Sequence, residues 1–265
     1  MTLKDYLRGI VLQIRFLTRL PVPADVRYDE RAFAAGAVFS PVIGLLVGLF
    51  MIGAYLLFTL LDARPLAVLA AMVSGIAVTG GLHLDGLADT FDGFFSYREK
   101  ERVLAIMKDP RLGTGGAIGL VLVLILKYAL LLSLDEAILL PCLAVMPVLS
   151  RMTIPWSAGL SKYARPGEKG PAAGLMAHTG ALEIGIATML AFLIALLFMR
   201  LAAVPLTLFV IAFALVMNLY ARRRIGGITG DVIGAIIELS ELVFLLSALV
   251  LDRVYAWQQI PFMGN

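Results

Sequence analysis

Seven stretches of this chain are apolar for long enough to cross a lipid bilayer, and their recurrence limits the fold more than any motif does. A spanning helix needs about 20 mostly apolar residues. Such runs fall at about 34–61, 65–82, 113–134, 137–157, 184–200, 203–221 and 232–251. Hydrocarbon offers a backbone amide no partner, so each run satisfies its own hydrogen bonds as a helix. Charged residues make up 15% of the chain, against about 25% in soluble domains, and the mean hydropathy is +0.93. The expectation is an all-α polytopic integral membrane protein of about seven transmembrane helices, forming a single membrane-embedded domain over 1–265. The first run is long enough to tilt, or to kink at Pro41 and its glycines. Glu238 and Glu241 weaken the last.

The basic residues test this layout. If the spans alternate, one side receives the arm 1–33, the loop 83–112, the loop 158–183 with the adjacent Arg151, and Arg222, Arg223 and Arg224. Together these hold 18 of the 22 lysines and arginines. The other side receives Arg64, Arg200 and Arg253, and Lys127 lies within a span. The positive-inside rule predicts a multi-pass protein of the plasma (cytoplasmic) membrane, with its N-terminus and polar loops in the cytoplasm. The net charge of +3 follows topology, so no nucleic-acid partner is implied. Charges interrupt the apolar N-terminal residues, which argues against a secretory signal. Residues 4–20 read instead as an amphipathic helix on the membrane lipid interface, ended by Pro21 and Pro23. The single cysteine, Cys142, permits no disulfide within the chain, and no zinc-ligand cluster is present.

Directly after the second run comes GLHLDGLADTFDGFF, residues 81–95. On a helix Asp85, Asp89 and Asp92 stand at i, i+4 and i+7, on one face. Three carboxylates on one face repel one another, and a divalent cation relieves that. All-oxygen ligation suits Mg²⁺, Mn²⁺ or Ca²⁺, and Mg²⁺ is usually held by one or two carboxylates with substrate phosphates. Gly86 and Gly93 would let a ligand approach the backbone. The competing reading is a solvated acidic loop paired with Arg98, Lys100 and Arg102. The abrupt junction with an apolar span favours a metal-dependent phosphoryl-transfer site.

REKERVLAIMKD (98–109) has apolar residues at helical spacing and delivers Lys108 and Asp109 before Pro110 stops it. RLGTGG (111–116) then opens the third span. A glycine-rich turn entering a helix offers free N–H groups to phosphate, and it also serves as a plain connector. Lys108, Asp109 and Arg111 beside Gly113 favour ligand contact.

GGLHLDGLADTFDG, ERVLAIMKDPRLGTGG and GGITGDVIGAIIELSELVFLL (226–246) resemble blocks of the cobalamin synthase family, the adenosylcobinamide-GDP ribazoletransferases. FLTRLPVP (16–23) and KYARPGEKG (162–170) are similar to further blocks, and the likeness runs collinearly from about residue 10 to 250. The resemblance implies a membrane enzyme that joins α-ribazole, or its 5′-phosphate, to adenosylcobinamide-GDP, using Mg²⁺ and releasing GMP. The family is similar in motif logic to CDP-alcohol phosphotransferases, whose aspartate set opens D-x-x-D-G. Asp89, Asp92 and Gly93 match that opening. The A-R pair that follows it is absent here, and Asp109 stands in for the second half of the set. By this resemblance Asp85, Asp89, Asp92 and Asp109 hold one or two Mg²⁺ ions, unless one of them, such as Asp85, takes the proton from a ribose hydroxyl. His83 is another candidate base, or a hydrogen-bonded residue at the helix mouth.

Arg151, Lys162 and Arg165 could grip phosphate or corrinoid, or could be ordinary positive-inside charge. Lys127 must snorkel, pair or line a polar cavity, and Glu238 could pair with it. Pro147 and Pro155 suggest kinks. Thr229 can cap the last span, with Asp231 in its first turn. The resemblance favours contact of Asp231 with nucleotide or metal. Two rival functions remain: a phospholipid-type CDP-alcohol phosphotransferase, and a membrane cation transporter. The acidic cluster sits at a predicted interface rather than the bilayer midplane, and no repeat is visible, both unlike a transporter. The sequence leaves a homo-oligomer open.

Overall fold

Helices alone, with no strand, build the protein among the described residues. The structure is a computed structural model describing residues 1–255, so residues 256–265 of the expected domain lie outside the described residues. The helices are α1 (Leu3–Leu17), α2 (Glu30–Gly36), α3 (Ser40–Thr59), α4 (Arg64–Thr79), α5 (Leu82–Phe94) and α6 (Lys100–Ile106), followed by α7 (Thr114–Ser133), α8 (Glu136–Leu160), α9 (Pro171–His178), α10 (Ala181–Met199), α11 (Ala203–Ile225) and α12 (Gly230–Tyr255).

Each of the seven apolar stretches holds one helix: α3, α4, α7, α8, α10, α11 and α12. Five helical segments are individually long and apolar enough to cross a membrane, or six if α4 and α5 count as one bent span. One of the five, Ala181–Ile225, covers both α10 and α11. As one straight helix it would run about 68 Å, more than twice the hydrocarbon thickness of about 30 Å. It doubles back instead. Arg200 breaks the helix with φ 52°. Trp156, near the end of α8, donates to Thr188 of α10 at 2.8 Å. Asn218 of α11 reaches Ser157 and Ser161 of the same region at 3.1 Å. Early α10 and late α11 therefore share one end of α8. The protein is an all-α polytopic membrane protein with about seven spans.

The first long stretch changes helix type just ahead of Pro41. A 3-10 turn at Ala37–Phe39 separates α2 from α3, with Pro41 in the first turn of α3. The second stretch ends earlier than expected. Gly80 and Gly81 both take left-handed φ values, 65° and 69°, which only glycine adopts readily. They turn α5 by 89° from α4, so the acidic helix lies across the end of the bundle. Helix α1 packs on α2, inserting Leu12 and Leu17, while Leu3 and Leu7 stay exposed.

Helix α8 runs through the core and continues unbroken past Pro141, Pro147 and Pro155. A proline frees the carbonyl four residues earlier, and α3 covers the two freed by Pro147 and Pro155. The Ser40 hydroxyl donates to the Arg151 carbonyl at 2.8 Å, and Gly48 lies flat against the Leu143 carbonyl. At Pro147 and Pro155 the freed carbonyls are thus packed against α3.

Four buried charges tie α7, α8 and α12 together. The Lys127 ammonium donates to Glu238 and Glu241, each at 2.6 Å. Arg151 approaches Glu241 at 3.4 Å, and the Ser150 hydroxyl donates to it at 3.2 Å. The basic side chains divide between the two ends of the bundle. Arg64 donates to the Leu134 carbonyl and Arg253 to that of Ser133. At the opposite end Arg19 lies over Gly80 and Arg224 donates to the Arg98 carbonyl.

Lys127→Met should be strongly destabilising, by about 3–5 kcal/mol, because it leaves buried carboxylates uncompensated. Thermal unfolding of the purified protein in detergent checks this, and a melting curve like that of the wild type would contradict it.

Candidate active site

Helix α5 meets α12 at two glycines. A Cβ on Gly86 would lie 2.8 Å from the Asp231 carbonyl oxygen and 2.9 Å from its Cα. A Cβ on Gly234 would lie 3.1 Å from the His83 carbonyl oxygen. Gly86 therefore admits the backbone of α12 rather than a ligand. Gly93 likewise abuts Met107 and Val103 beside α6.

This crossing brings Asp231 to the acidic face of α5. Asp89 is half-buried. Its carboxylate is repelled by those of Asp231, Asp85 and Asp92 and attracted by Arg165. Arg165 arrives through the loop after α8. That loop pairs with the turn before α12 by two backbone hydrogen bonds of 2.9 Å, from Ala164 N–H to the Ile228 carbonyl and from Ile228 N–H to the Lys162 carbonyl. Arg165 then stands 3.4 Å from Asp231, whose carboxylate also accepts from the Thr229 hydroxyl at 3.2 Å. Thr229 caps α12 as well, accepting from Val232 N–H at 3.3 Å.

Asp92 is already engaged. It accepts from the backbone N–H groups of Gly113 and Gly116, each at 2.7 Å. It thus caps α7, whose first residues carry no side-chain cap of their own. The glycine-rich turn expected to offer its N–H groups to phosphate offers two of them to Asp92, and Cβ atoms on Gly113 or Gly116 would collide with that carboxylate.

Asp109 lies apart from this group. Helix α6 ends at Ile106, short of the expected 109; Lys108 and Asp109 follow in tighter turns onto the Ala105 and Ile106 carbonyls, and Pro110 bars any continuation. Asp109 accepts from the Arg111 guanidinium at 2.6 and 2.9 Å and from its N–H at 3.1 Å. These bonds hold its carboxyl down to about 2. Because that value is depressed, what the pair contributes is present above the ordinary value near 3.8 and lost as the pH falls toward 2. Lys108 pairs with Glu168 on the surface. Lys162 is exposed. Arg151, expected near the site, is inside the bundle with Glu241. His83 is buried, and neither ring nitrogen has a hydrogen-bond partner.

Next to the crossing is a cavity of about 150 Å³ lined by His83, Asp85 and Asp231, by Gln13 and Leu17 of α1, and by Leu175 of α9. The contribution of α1 was not anticipated. Its one sequence signal is Gln13, a polar residue in the apolar part of that helix. Gly234 left no signal, because an isolated glycine in a span has many uses.

A profile of the cobalamin-5-phosphate synthase family matches residues 9–250. The chain belongs to that family. It is 37% identical to an adenosylcobinamide-GDP ribazoletransferase of Caldanaerobacter subterraneus subsp. tengcongensis, over 90% of this chain and 96% of the relative. It is 35% identical to one from Clostridium acetobutylicum, over 91% and 96%, and 37% identical to one from Acetivibrio thermocellus, over 91% and 97%. No solved structure matches the chain. The protein is thus a membrane enzyme of the cobalamin synthase family, and the matched range includes every residue named at the α5–α12 crossing.

Among the described residues no three His, Cys, Asp or Glu side chains already converge as a ready metal cage. The chemistry of the donor set still fits Mg²⁺, which takes one or two carboxylates and completes its shell with water and phosphate. Several like charges facing one arginine leave room for a cation.

Replacing Asp92 by Ala should cost about 0.5–2 kcal/mol, as for loss of a helix cap. Thermal unfolding in detergent measures it. Unchanged stability together with lost activity would make Asp92 a ligand instead of a cap.

Proposed function

We propose that the protein is a Mg²⁺-dependent transferase that joins α-ribazole, or its 5′-phosphate, to adenosylcobinamide-GDP and releases GMP. Family membership supports the reaction class. The observation that carries the reading is the gathering of carboxylates around Asp89 with Arg165 at the glycine crossing. A diphosphate needs cationic help, and an acidic mouth obtains it by binding a divalent ion.

In this reading Asp85, Asp89 and Asp231 hold the metal, and Asp92 fixes the start of α7 beside them. Bound there, Mg²⁺ supplies neutralisation of charge on the transferred and leaving phosphates. A ribose hydroxyl of α-ribazole attacks the phosphorus on the cobinamide side of the diphosphate. The new P–O bond forms as the bond to the bridging oxygen breaks, and GMP departs with that oxygen. The hydroxyl proton passes to a carboxylate; Asp85, the exposed member of the group, is the one that takes it if Asp89 and Asp231 alone hold the metal. Arg165 lies where it can bind a phosphate oxygen once substrate competes with Asp231, since their present separation of 3.4 Å is long for an ion pair.

The charge distribution supports a cytoplasmic site in the plasma membrane. Arg19, Arg98, Arg165 and Arg224 gather at the end that carries the acidic helix, as the positive-inside rule expects of a cytoplasmic face. On that placement the exposed Leu3 and Leu7 of α1 meet membrane lipid.

Purified protein incubated with α-ribazole and adenosylcobinamide-GDP should release GMP only when both substrates and Mg²⁺ are present. CDP-diacylglycerol should not replace adenosylcobinamide-GDP. GMP release undiminished by chelation, or turnover of the lipid nucleotide instead, would contradict the reading.

A further inference from the structure

The cavity beside the crossing is not explained by the acidic cluster it adjoins. Its walls are largely apolar, with Phe16 and Leu17 from α1, Leu175 from α9 and Ile237 from α12. Asp85 and Asp231 line it too, so cavity and acidic cluster share a border. A molecule occupying the cavity therefore has its outer part at the carboxylates.

We propose that this cavity receives the benzimidazole base of the acceptor nucleoside and holds its ribose against Asp85 and Asp231. The inference rests on the transferase reading above. Three observations select this occupant. The first is size. Apolar cavities of about 150 Å³ accept a benzene ring, and a fused bicyclic base fits if its sugar projects through the shared border.

The second is polarity. A benzimidazole joined to ribose keeps one free ring nitrogen and otherwise presents apolar edges. It loses little hydration on entering an apolar wall. Guanine, on the other substrate, carries several donors and acceptors that each require a partner once buried. Away from the two carboxylates at its border, the cavity has few to give. The Gln13 amide nitrogen is already committed to the Phe33 carbonyl at 2.8 Å.

The third is the unsatisfied imidazole. His83 lines the cavity, and both its ring nitrogens are buried without a partner. An imidazole always carries at least one N–H. A turn of the ring offers that N–H to the single free nitrogen of the base. His83 is then a substrate-binding residue that orients the nucleoside, and the carboxylates are left to receive the proton.

The test fills the cavity from its rim. Ala172 lies in the α9 wall and is half-buried, so Ala172→Phe adds a ring where the base is placed. Steady-state GMP release is measured with each substrate varied in turn. The KM for α-ribazole should rise about tenfold or more, with the KM for adenosylcobinamide-GDP within about twofold of the wild type. Equilibrium binding of α-ribazole alone should weaken in parallel, and binding of GMP should not. Leu175→Phe carries the same test from a second position should Ala172→Phe fail to fold. An unchanged KM for α-ribazole in a variant that folds overturns the assignment. So does a rise confined to adenosylcobinamide-GDP, which would place guanine in the cavity. Wild-type protein that releases no GMP overturns the transferase reading itself, and the inference with it.

Discussion

One stripe of α12 organises the molecule. Asp231, Gly234, Glu238 and Glu241 stand at i, i+3, i+7 and i+10, a single helical face. The two glutamates are buried against Lys127 and Arg151. In a low-dielectric bundle none of these charges tolerates loss of its partner, so the set fixes the rotation of α12. That rotation turns Gly234 and Asp231 toward α5. The buried charges do no chemistry in this account; they set the angle at which the chemistry is presented.

Backbone approach then does what side chains do elsewhere. Gly86 and Gly234 let α5 and α12 touch main chain to main chain, and Gly80 with Gly81 swing α5 across the end of the bundle. Asp92 anchors the next span through two amides. The result is an acidic mouth built from segments far apart in the chain, with a largely apolar cavity beneath α1 and α9. Such a mouth suits a substrate with a charged diphosphate on one side and an apolar ring on the other.

Much of this was legible in the sequence, and the losses have physical causes. The spans were readable because hydrocarbon sets their length and polarity. The single acidic face of α5 was readable because 3.6-residue periodicity is local. The pairing of Lys127 with Glu238 followed from the cost of an unpaired charge in a span. The fate of Asp92 and Gly113 was not readable. Sequence shows an acceptor carboxylate and a set of donor amides and assigns each to a ligand, whereas the fold gives them to each other. Arg151 misled because span ends are drawn from hydropathy, and a basic residue near such an end looks exposed. Asp109 stood in the expected order for a ligand, but Pro110 ends its helix early and Arg111 occupies its carboxylate. Asp231 was expected at nucleotide or metal through the resemblance alone, and the α5–α12 crossing is what sets it beside Asp85 and Asp89.

The central claim is that the third acidic partner of Asp85 and Asp89 comes from α12 and not from the loop before α7. The Mg²⁺ dependence of GMP release, compared between Asp231→Asn and Asp109→Asn proteins, tests it most directly. The account predicts that Asp231→Asn lowers turnover about a hundredfold and demands more Mg²⁺ for half-maximal rate, while Asp109→Asn tracks the wild type. The reverse pattern, with Asp109→Asn inactive and Asp231→Asn unaffected, would contradict it.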